Sequence, residues 1–376
     1  MWPSSPAETI FWLSIASALY VYAGFPLVLL VLSKLFPSPV HKAQIEPRVS
    51  MLVAAYNEGA VIEAKIRNAL ALDYPAERFE LVIASDGSKD ATVEIARRFE
   101  GDRRVRVVAH PLNRGKLAVL NDGVRDIQSE IVVFSDAASM LLPDAIRKLV
   151  QNFADARVGA VSGIYGVKAS ATADVGKQED FYWKYETFLK EQESNLHSIL
   201  GCHGSLYAIR RELYPYPEQG TINDDYVIPV RILQKGYRVV YETGAVSTEE
   251  AHEMDGFQRR VRIMTGNFQQ LRELAALAAP PRPLPLFFFL SHKAGRLVVP
   301  LAIVAALVSN LFLLDRPFYV ATALLQAVFY ALVLVGAAGH FRQKLLRLPY
   351  YFCMINAAAF LGMYYALFGR RRLAWK

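Results

Sequence analysis

EIVVFSDAASMLLPDA, residues 130–145, is the stretch on which the fold turns. Four apolar residues, Ile131 to Phe134, run into Ser135-Asp136, and Leu141-Leu142-Pro143 opens the next segment. A short apolar run bounded by a polar turn reads as a strand buried on both faces. Strand, acidic turn and helix form the unit of an open α/β sheet, and such sheets bind ligands at the C-terminal ends of their strands. Asp136 lies at that end. It is a candidate metal ligand, or else the acid of an ordinary turn. A cation site would normally add a second acid two residues on, and that position is Ala138.

The pattern repeats on either side. VSMLVAAY (49–56), FELVIAS (79–85), VRVVAH (105–110) and VGAVSGIY (158–165) read as further strands. GAVIEAKIRNALAL (59–72), ATVEIARRFE (91–100) and PDAIRKLVQNF (143–153) have helical periodicity. This alternation predicts an α/β domain with a mostly parallel sheet and helices on both faces. Three strands end in polar residues on one edge: Tyr56-Asn57-Glu58, Ser85-Asp86-Gly87-Ser88-Lys89-Asp90 and Ser135-Asp136. Carboxylates and amides there suit a base and ribose, with a metal for phosphates. The glycine-rich fingerprints of dinucleotide and P-loop sites are absent.

The rest of the chain is more apolar. Of its 376 residues 53% are hydrophobic, and the mean hydropathy is +0.20. The excess collects at the ends. Residues 10–36 carry no charge before Lys34, which is long enough to span a bilayer. A cleaved signal peptide competes with that reading, but MWPSSPAE has no basic residue and the run is too long. Three more runs, 297–314, 318–339 and 349–369, predict further spans. The Pro-rich, then aromatic and basic segment 276–296 is expected to lie in the headgroup layer. The predicted domains are thus 1–40 (anchor and linker), 41–275 (catalytic), 276–296 (interfacial) and 297–376 (spans).

Lys34, His41, Lys42 and Arg48 follow the first span, so the middle domain should face the cytoplasm across the inner membrane. Four spans then place GRRRLAWK outside, against the positive-inside rule, unless one C-terminal run is re-entrant. A formal charge of +7 fits an anionic bilayer surface, and no basic-aromatic stripe points to nucleic acid. Two distant cysteines, Cys202 and Cys353, give neither a disulfide framework nor a thiolate metal site.

Seven blocks in order carry a resemblance: AAYNE (54–58), SDGSKDAT (85–92), NRGKLAVLNDG (113–123), FSDAAS (134–139), GCHGSLYAIRR (201–211), NDDYVIPVRILQKGYRV (223–239) and RRVRIMTGN (259–267). From about Val49 to Asn267 the chain resembles the membrane-embedded family-2 glycosyltransferases of GT-A fold, a branch that includes cellulose, chitin, hyaluronan and poly-N-acetylglucosamine synthases. The resemblance implies that Tyr56, Glu58 and Asp86 hold the uracil and ribose of a UDP-sugar, with Lys116 near its phosphates. It makes Asp136 the first acid of the DxD motif, a ligand of Mg²⁺ or Mn²⁺; Ala138 puts the affinity of that site in doubt. Asp225 becomes the base that deprotonates the acceptor, with Asp224 beside it. Acids at a helix start also serve as caps, so one can cap while the other reacts. Arg259 and Arg262 match the first and fourth positions of the Q/RxxRW motif and would bind diphosphate, whereas the Trp position is Ile263. His203 and Gly204 would line the acceptor pocket, although a lone His is as often structural. Glu249 and Glu250 match a position of uncertain role.

Three functions follow from this likeness. The first is inverting, processive transfer from a UDP-sugar to a growing β-linked polysaccharide, with coupled translocation and a homo-oligomer or export partner. The second is a single transfer to a membrane lipid such as polyprenyl phosphate or a ceramide. The third, a non-catalytic scaffold, draws on Ala138 and Ile263.

Overall fold

The computed structural model describes residues 5–168, 175–218, 220–250, 256–271, 277–278, 282–338 and 348–369, without the side chains of 167–183, 250, 256 and 259. It divides into two compact units. One gathers Leu32–Met254 with Ala275–Pro285; the other gathers Met1–Val31, Asp255–Leu274 and Leu286–Arg370.

The α/β unit is built on one sheet. In chain order its elements are β1 (Val49–Ala55), α1 (Ile62–Leu70), β2 (Phe79–Asp86), α2 (Thr92–Arg97), β3 (Val105–His110), α3 (Lys116–Asp126), β4 (Ile131–Phe134), β5 (Met140–Leu141), α4 (Ala145–Val150), β6 (Val158–Lys168), α5 (Val175–Leu196), β7 (Tyr207–Arg210), α6 (Asp224–Gln234) and β8 (Arg238–Glu250). Eight strands lie in the order β3-β2-β1-β4-β7-β6-β8-β5. The β3-β2-β1-β4 half is parallel, as is the β6-β8 pair, while β7 runs antiparallel to β4 and β6.

Every residue of β1 is buried, which is why it reads as an unbroken apolar run. Met51 and Val53 face the core formed with Ile62, Ile66 and Ala69 of α1 and Ile146 and Leu149 of α4. Leu52 points to the opposite face, where α3 comes so close that a Cβ on Gly123 would lie 2.8 Å from Leu52 Cδ1. The parallel half therefore delivers the ends of β1, β2 and β4 to one edge. Because β7 is antiparallel, the residues just before it arrive at that same edge: Tyr207 pairs with Phe134. The two rings stack at 4.7 Å between centroids.

Among the described residues four helices, most of whose length falls in the other unit, are long and apolar enough to cross a membrane: Pro6–Leu35, Pro283–Leu311, Pro317–Ala337 and Leu348–Phe368. The residues expected to lie separately in the headgroup layer are helical from Pro283 and continue through a π turn, Phe289–Ala294, into the second of these helices. The prolines at 283 and 285 fall in the first turn, where a lost N–H costs nothing. Glu8, Trp12 and Tyr319 form one cluster: Tyr319 Oη donates to Glu8 at 2.9 Å and accepts from Trp12 Nε1 at 3.1 Å. Arg316 pairs with Glu8 at 3.2 Å. A further helix, α7 (Gly256–Gln270), crosses Leu348–Phe368 at Gly362, whose absent side chain leaves room for Met264; a Cβ there would lie 2.7 Å from Met264 Cβ. Arg260 donates to Tyr351 Oη at 2.7 Å. Residues 255–274, counted by sequence with the α/β domain, thus cluster with the apolar helices.

Candidate active site

The turn after β1 needs a left-handed residue, and Asn57 supplies it at φ 56°. Asn57 Oδ1 accepts from Lys89 N at 2.8 Å and Asn57 N donates to Ser88 Oγ at 3.1 Å. Glu58 N donates to Thr92 Oγ1 at 2.8 Å and Gly59 N to Asp90 Oδ2 at 2.9 Å. Those four bonds weld the first two polar turns together. Gly87, at φ +70°, packs on the backbone of Leu112 and Asn113, where a Cβ would come within 2.6 Å. Asp86 is fully buried, and its two oxygens accept from Arg114 N and Gly115 N, each at 2.8 Å. Its carboxylate thereby shapes the loop that leads into Lys116.

Lys116 opens α3 and bridges two acids from different elements. Its Nζ lies 2.8 Å from Asp136 Oδ1 and 3.7 Å from Asp224 Oδ2. Burial disfavours its charge, but Asp136 and Asp224 outweigh burial and hold the ammonium above its ordinary range. Asp224 and Asp225 occupy the first turn of α6, where the helix N-terminus favours negative charge. Pro229, inside this helix, has no N–H for the Asp225 carbonyl. Cys202 N donates to that carbonyl instead, at 2.8 Å. Gly204 N donates to the Asp225 side chain at 3.2 Å. The 202–204 loop is therefore fastened to the start of α6 by one proline and one glycine.

Gly204 marks the meeting point of the site. A Cβ there would sit 3.3 Å from Asp225 Oδ2 and 3.5 Å from Asp136 Oδ2. A small cleft lies alongside, lined by Leu52, Ala54, Lys116, Leu120, Phe134 and Asp136 among others. Asp225 is held by burial first, then by Asp224, which together push its carboxyl up to about 6 against the pull of Lys116 and Lys190. A base must be ionised to accept a proton. If Asp225 is the base that the resemblance implies, the donor kcat/KM is expected to fall about tenfold per pH unit below pH 6, measured as nucleoside diphosphate release across pH 4.5–8.5.

Most of the residues singled out from sequence meet here. Lys116, Asp136, Asp224, Asp225 and Gly204 converge, and Glu58 belongs to the same charge field. Burial raises the Glu58 carboxyl, and Asp136, Asp90 and Glu249 add to that rise. Tyr56 is half-buried just past β1. His203 is buried, with Nε2 3.1 Å from Tyr241 Oη and 3.4 Å from Lys190 Nζ. Its imidazole packs into the wall behind the Gly204 loop. Arg262 lies on α7 of the other compact unit, and the Arg259 side chain falls outside the described residues.

Sequence reasoning passed over Lys65 and set Glu249 aside. Lys65 is fully buried, and burial pulls its ammonium down to about 7 against Asp136 and Glu249. One signal was available: in α1 Lys65 shares the helical face of Ile62, Ile66 and Ala69, an unusual place for a lysine.

The ends of the sheet thus bring a lysine and three aspartates together beside a glycine loop, and the chain is similar to known glycosyltransferases. Residues 50–215 match the model described as glycosyl transferase family 2. The fold is that of the GT-A glycosyltransferases, and the likeness to family 2 is carried by residues 50–215. The poly-beta-1,6-N-acetyl-D-glucosamine synthase of Staphylococcus aureus (strain COL) is 27% identical to it over 230 residues, 59% of this chain and 55% of that protein. The Staphylococcus epidermidis synthase is 26% identical over the same length. The chain thus spans about half the length of these curated relatives, at 55%. The solved structure of mannosyltransferase PcManGT from Pyrobaculum calidifontis, in complex with GDP-Man and Mn²⁺, superposes with a TM-score of 0.73 at 24% identity. That likeness covers 96% of this chain and 99% of the other.

Proposed function

We propose that this chain is an inverting glycosyltransferase that moves a sugar from a UDP-sugar to a growing β-linked polysaccharide at the membrane. The observation that carries the reading is the convergence of Asp225 and Asp136 on Gly204 in a domain similar to family 2. Similarity to two poly-N-acetylglucosamine synthases supports the polymer product. Four helices among the described residues are long and apolar enough to cross a bilayer and support the membrane setting; the basic residues that follow the first of them, Lys34, Lys42 and Arg48, support a cytoplasmic α/β unit.

In this reading Asp225 takes the proton of the acceptor hydroxyl while the acceptor oxygen bonds to C1 of the sugar. The bond from C1 to the diphosphate breaks on the opposite face, and the nucleoside diphosphate leaves with its electron pair. One base suffices, because a diphosphate leaving group needs no protonation. Gly204 keeps Asp225 oriented and leaves space above it. Lys116 places a cation beside the diphosphate. Tyr56 and Glu58 take the base and ribose, with Asp86 shaping the wall. His203 backs the acceptor side with Gly204.

A divalent cation fits this donor set. Asp136 presents a hard carboxylate oxygen, and Glu58, raised first by burial and then by Asp136, Asp90 and Glu249, is a second acid in the same region. Among the described residues no three His, Cys, Asp or Glu side chains gather to hold an ion by themselves, which suits a site completed by donor phosphates. When bound on Asp136, Mg²⁺ or Mn²⁺ would supply positive charge to the departing diphosphate.

One observation favours single transfer to a lipid. Ile263, standing where the resemblance puts a Trp, is an exposed aliphatic residue at 38% exposure and offers no stacking platform for a sugar. The test is a panel of radiolabelled UDP-sugars and GDP-mannose with the purified protein in nanodiscs. A high-molecular-weight, glycosidase-sensitive ladder is expected from a UDP-sugar. Label confined to the organic phase as one sugar per lipid would replace the polymer reading with the lipid one, and label from GDP-mannose alone would overturn the donor.

A further inference from the structure

The Lys65 side chain rises from the apolar face of α1 into the underside of the turn that carries Asp136. It is 0% exposed. Its Nζ donates to Ser135 Oγ at 2.7 Å and to Ser139 O at 2.5 Å. These two residues bracket Asp136, one immediately before it and one three after. The network extends in both directions. Ser135 Oγ donates to Ser205 O at 2.7 Å, next to Gly204. Ser139 Oγ donates to Glu249 Oε1, and Glu249 Oε2 accepts from Tyr165 Oη at 3.1 Å. One side chain therefore ties α1, the Asp136 turn, the Gly204 loop and the end of β8 together.

Burying an ammonium is costly unless its protons are matched, and an apolar residue among Ile62, Ile66 and Ala69 would pack without that cost. The hydrogen bonds of Lys65 are spent entirely on fixing a turn. That turn has one carboxylate where a cation site of this kind would have two, since position 138 is alanine. An ion held by a single protein carboxylate depends more heavily on where that carboxylate points.

We propose that Lys65 is a positioning residue for Asp136, stapling the Ser135–Ser139 turn so that one carboxylate can hold the donor's divalent cation. The proposal rests on the reading of Asp136 as a cation ligand. Lys65 touches neither donor nor acceptor and acts through Ser135 and Ser139. Glu249 anchors the far side of the turn.

The test uses the full-length protein in nanodiscs and Mn²⁺ binding followed by electron paramagnetic resonance in the presence of UDP, alongside thermal unfolding. Lys65→Met is expected to raise the Mn²⁺ dissociation constant about tenfold or more, the usual cost of losing a partner that orients a metal ligand. Ser135→Ala, which keeps the ammonium and removes one of its acceptors, is expected to raise it by about threefold. The double variant should bind no more weakly than Lys65→Met, because both act through one contact. In turnover the same variants should recover most of their kcat at high Mn²⁺. If Ser135→Ala and Lys65→Met lower the melting temperature while Mn²⁺ binding stays unchanged or tightens, Lys65 is only a structural residue and the proposal fails. If Lys65→Met does not fold, Ser135→Ala alone decides. Asp136→Asn separates the two readings: should it leave Mn²⁺ binding intact, Asp136 is no ligand and the premise falls, whatever Lys65 does.

Discussion

Asp225→Asn is expected to slow nucleoside diphosphate release by about three orders of magnitude and leave the fold intact. The substitution is nearly isosteric, and an asparagine oxygen can still accept the Gly204 N–H that reaches Asp225 Oδ2 at 3.2 Å. Its place in the first turn of α6 tolerates Asn as well as Asp. What it loses is the capacity to take a proton. With the base gone, the acid limb of the pH profile should flatten, because the group pushed up to about 6 is no longer there to titrate. Asp224→Asn is the necessary companion. Asp224 is buried against Lys116 at 3.7 Å, so its loss should weaken donor binding more than it slows the chemical step. A larger kcat loss in Asp224→Asn than in Asp225→Asn would exchange their roles. A scaffold without catalysis would release no nucleoside diphosphate in any form of the protein.

The parallel half of the sheet was legible because its strands are buried on both faces. VSMLVAAY and EIVVFS contain no alternation to confuse with a helix, and β1 and β4 fall within a residue or two of those runs. In the other half only β6 was, as VGAVSGIY. β7 is four residues inside GCHGSLYAIRR, and β5 is two residues inside a turn, too short to carry a period. β8 follows α6 through a glycine turn and was read only as the tail of a motif block. The convergence of Asp136 and Asp225 on Gly204 depends on the unread part of that half, since it is the antiparallel course of β7 that returns Gly204 to the end of β4. The acids could be read from the sequence; their meeting could not. Lys65 illustrates the same limit. A lysine on a nine-residue helix ordinarily points to water, and only the packing of α1 under the Asp136 turn makes it a buried donor.

The second large effect is expected at Asp136, where an opposite pair of substitutions isolates the role of the carboxylate. Asp136→Asn should reduce donor kcat/KM by at least about a hundredfold, comparable with losses when a metal ligand's environment is destroyed. Lys116, 2.8 Å from Asp136 Oδ1, would then turn wholly to Asp224, so donor binding should weaken along with cation binding. Ala138→Asp works in the other direction. It restores a carboxylate two residues on, at a half-buried position of the same turn, and should lower the Mn²⁺ concentration for half-maximal activity several-fold. Tighter cation binding need not quicken the reaction, since a cation held equally before and during diphosphate departure adds nothing to kcat. The expected signature is therefore a shifted Mn²⁺ titration with nearly constant kcat, measured by nucleoside diphosphate release at fixed donor. A titration that does not move in Ala138→Asp, together with full activity in Asp136→Asn, would remove the cation from this turn and leave Lys116 as the charge that faces the diphosphate.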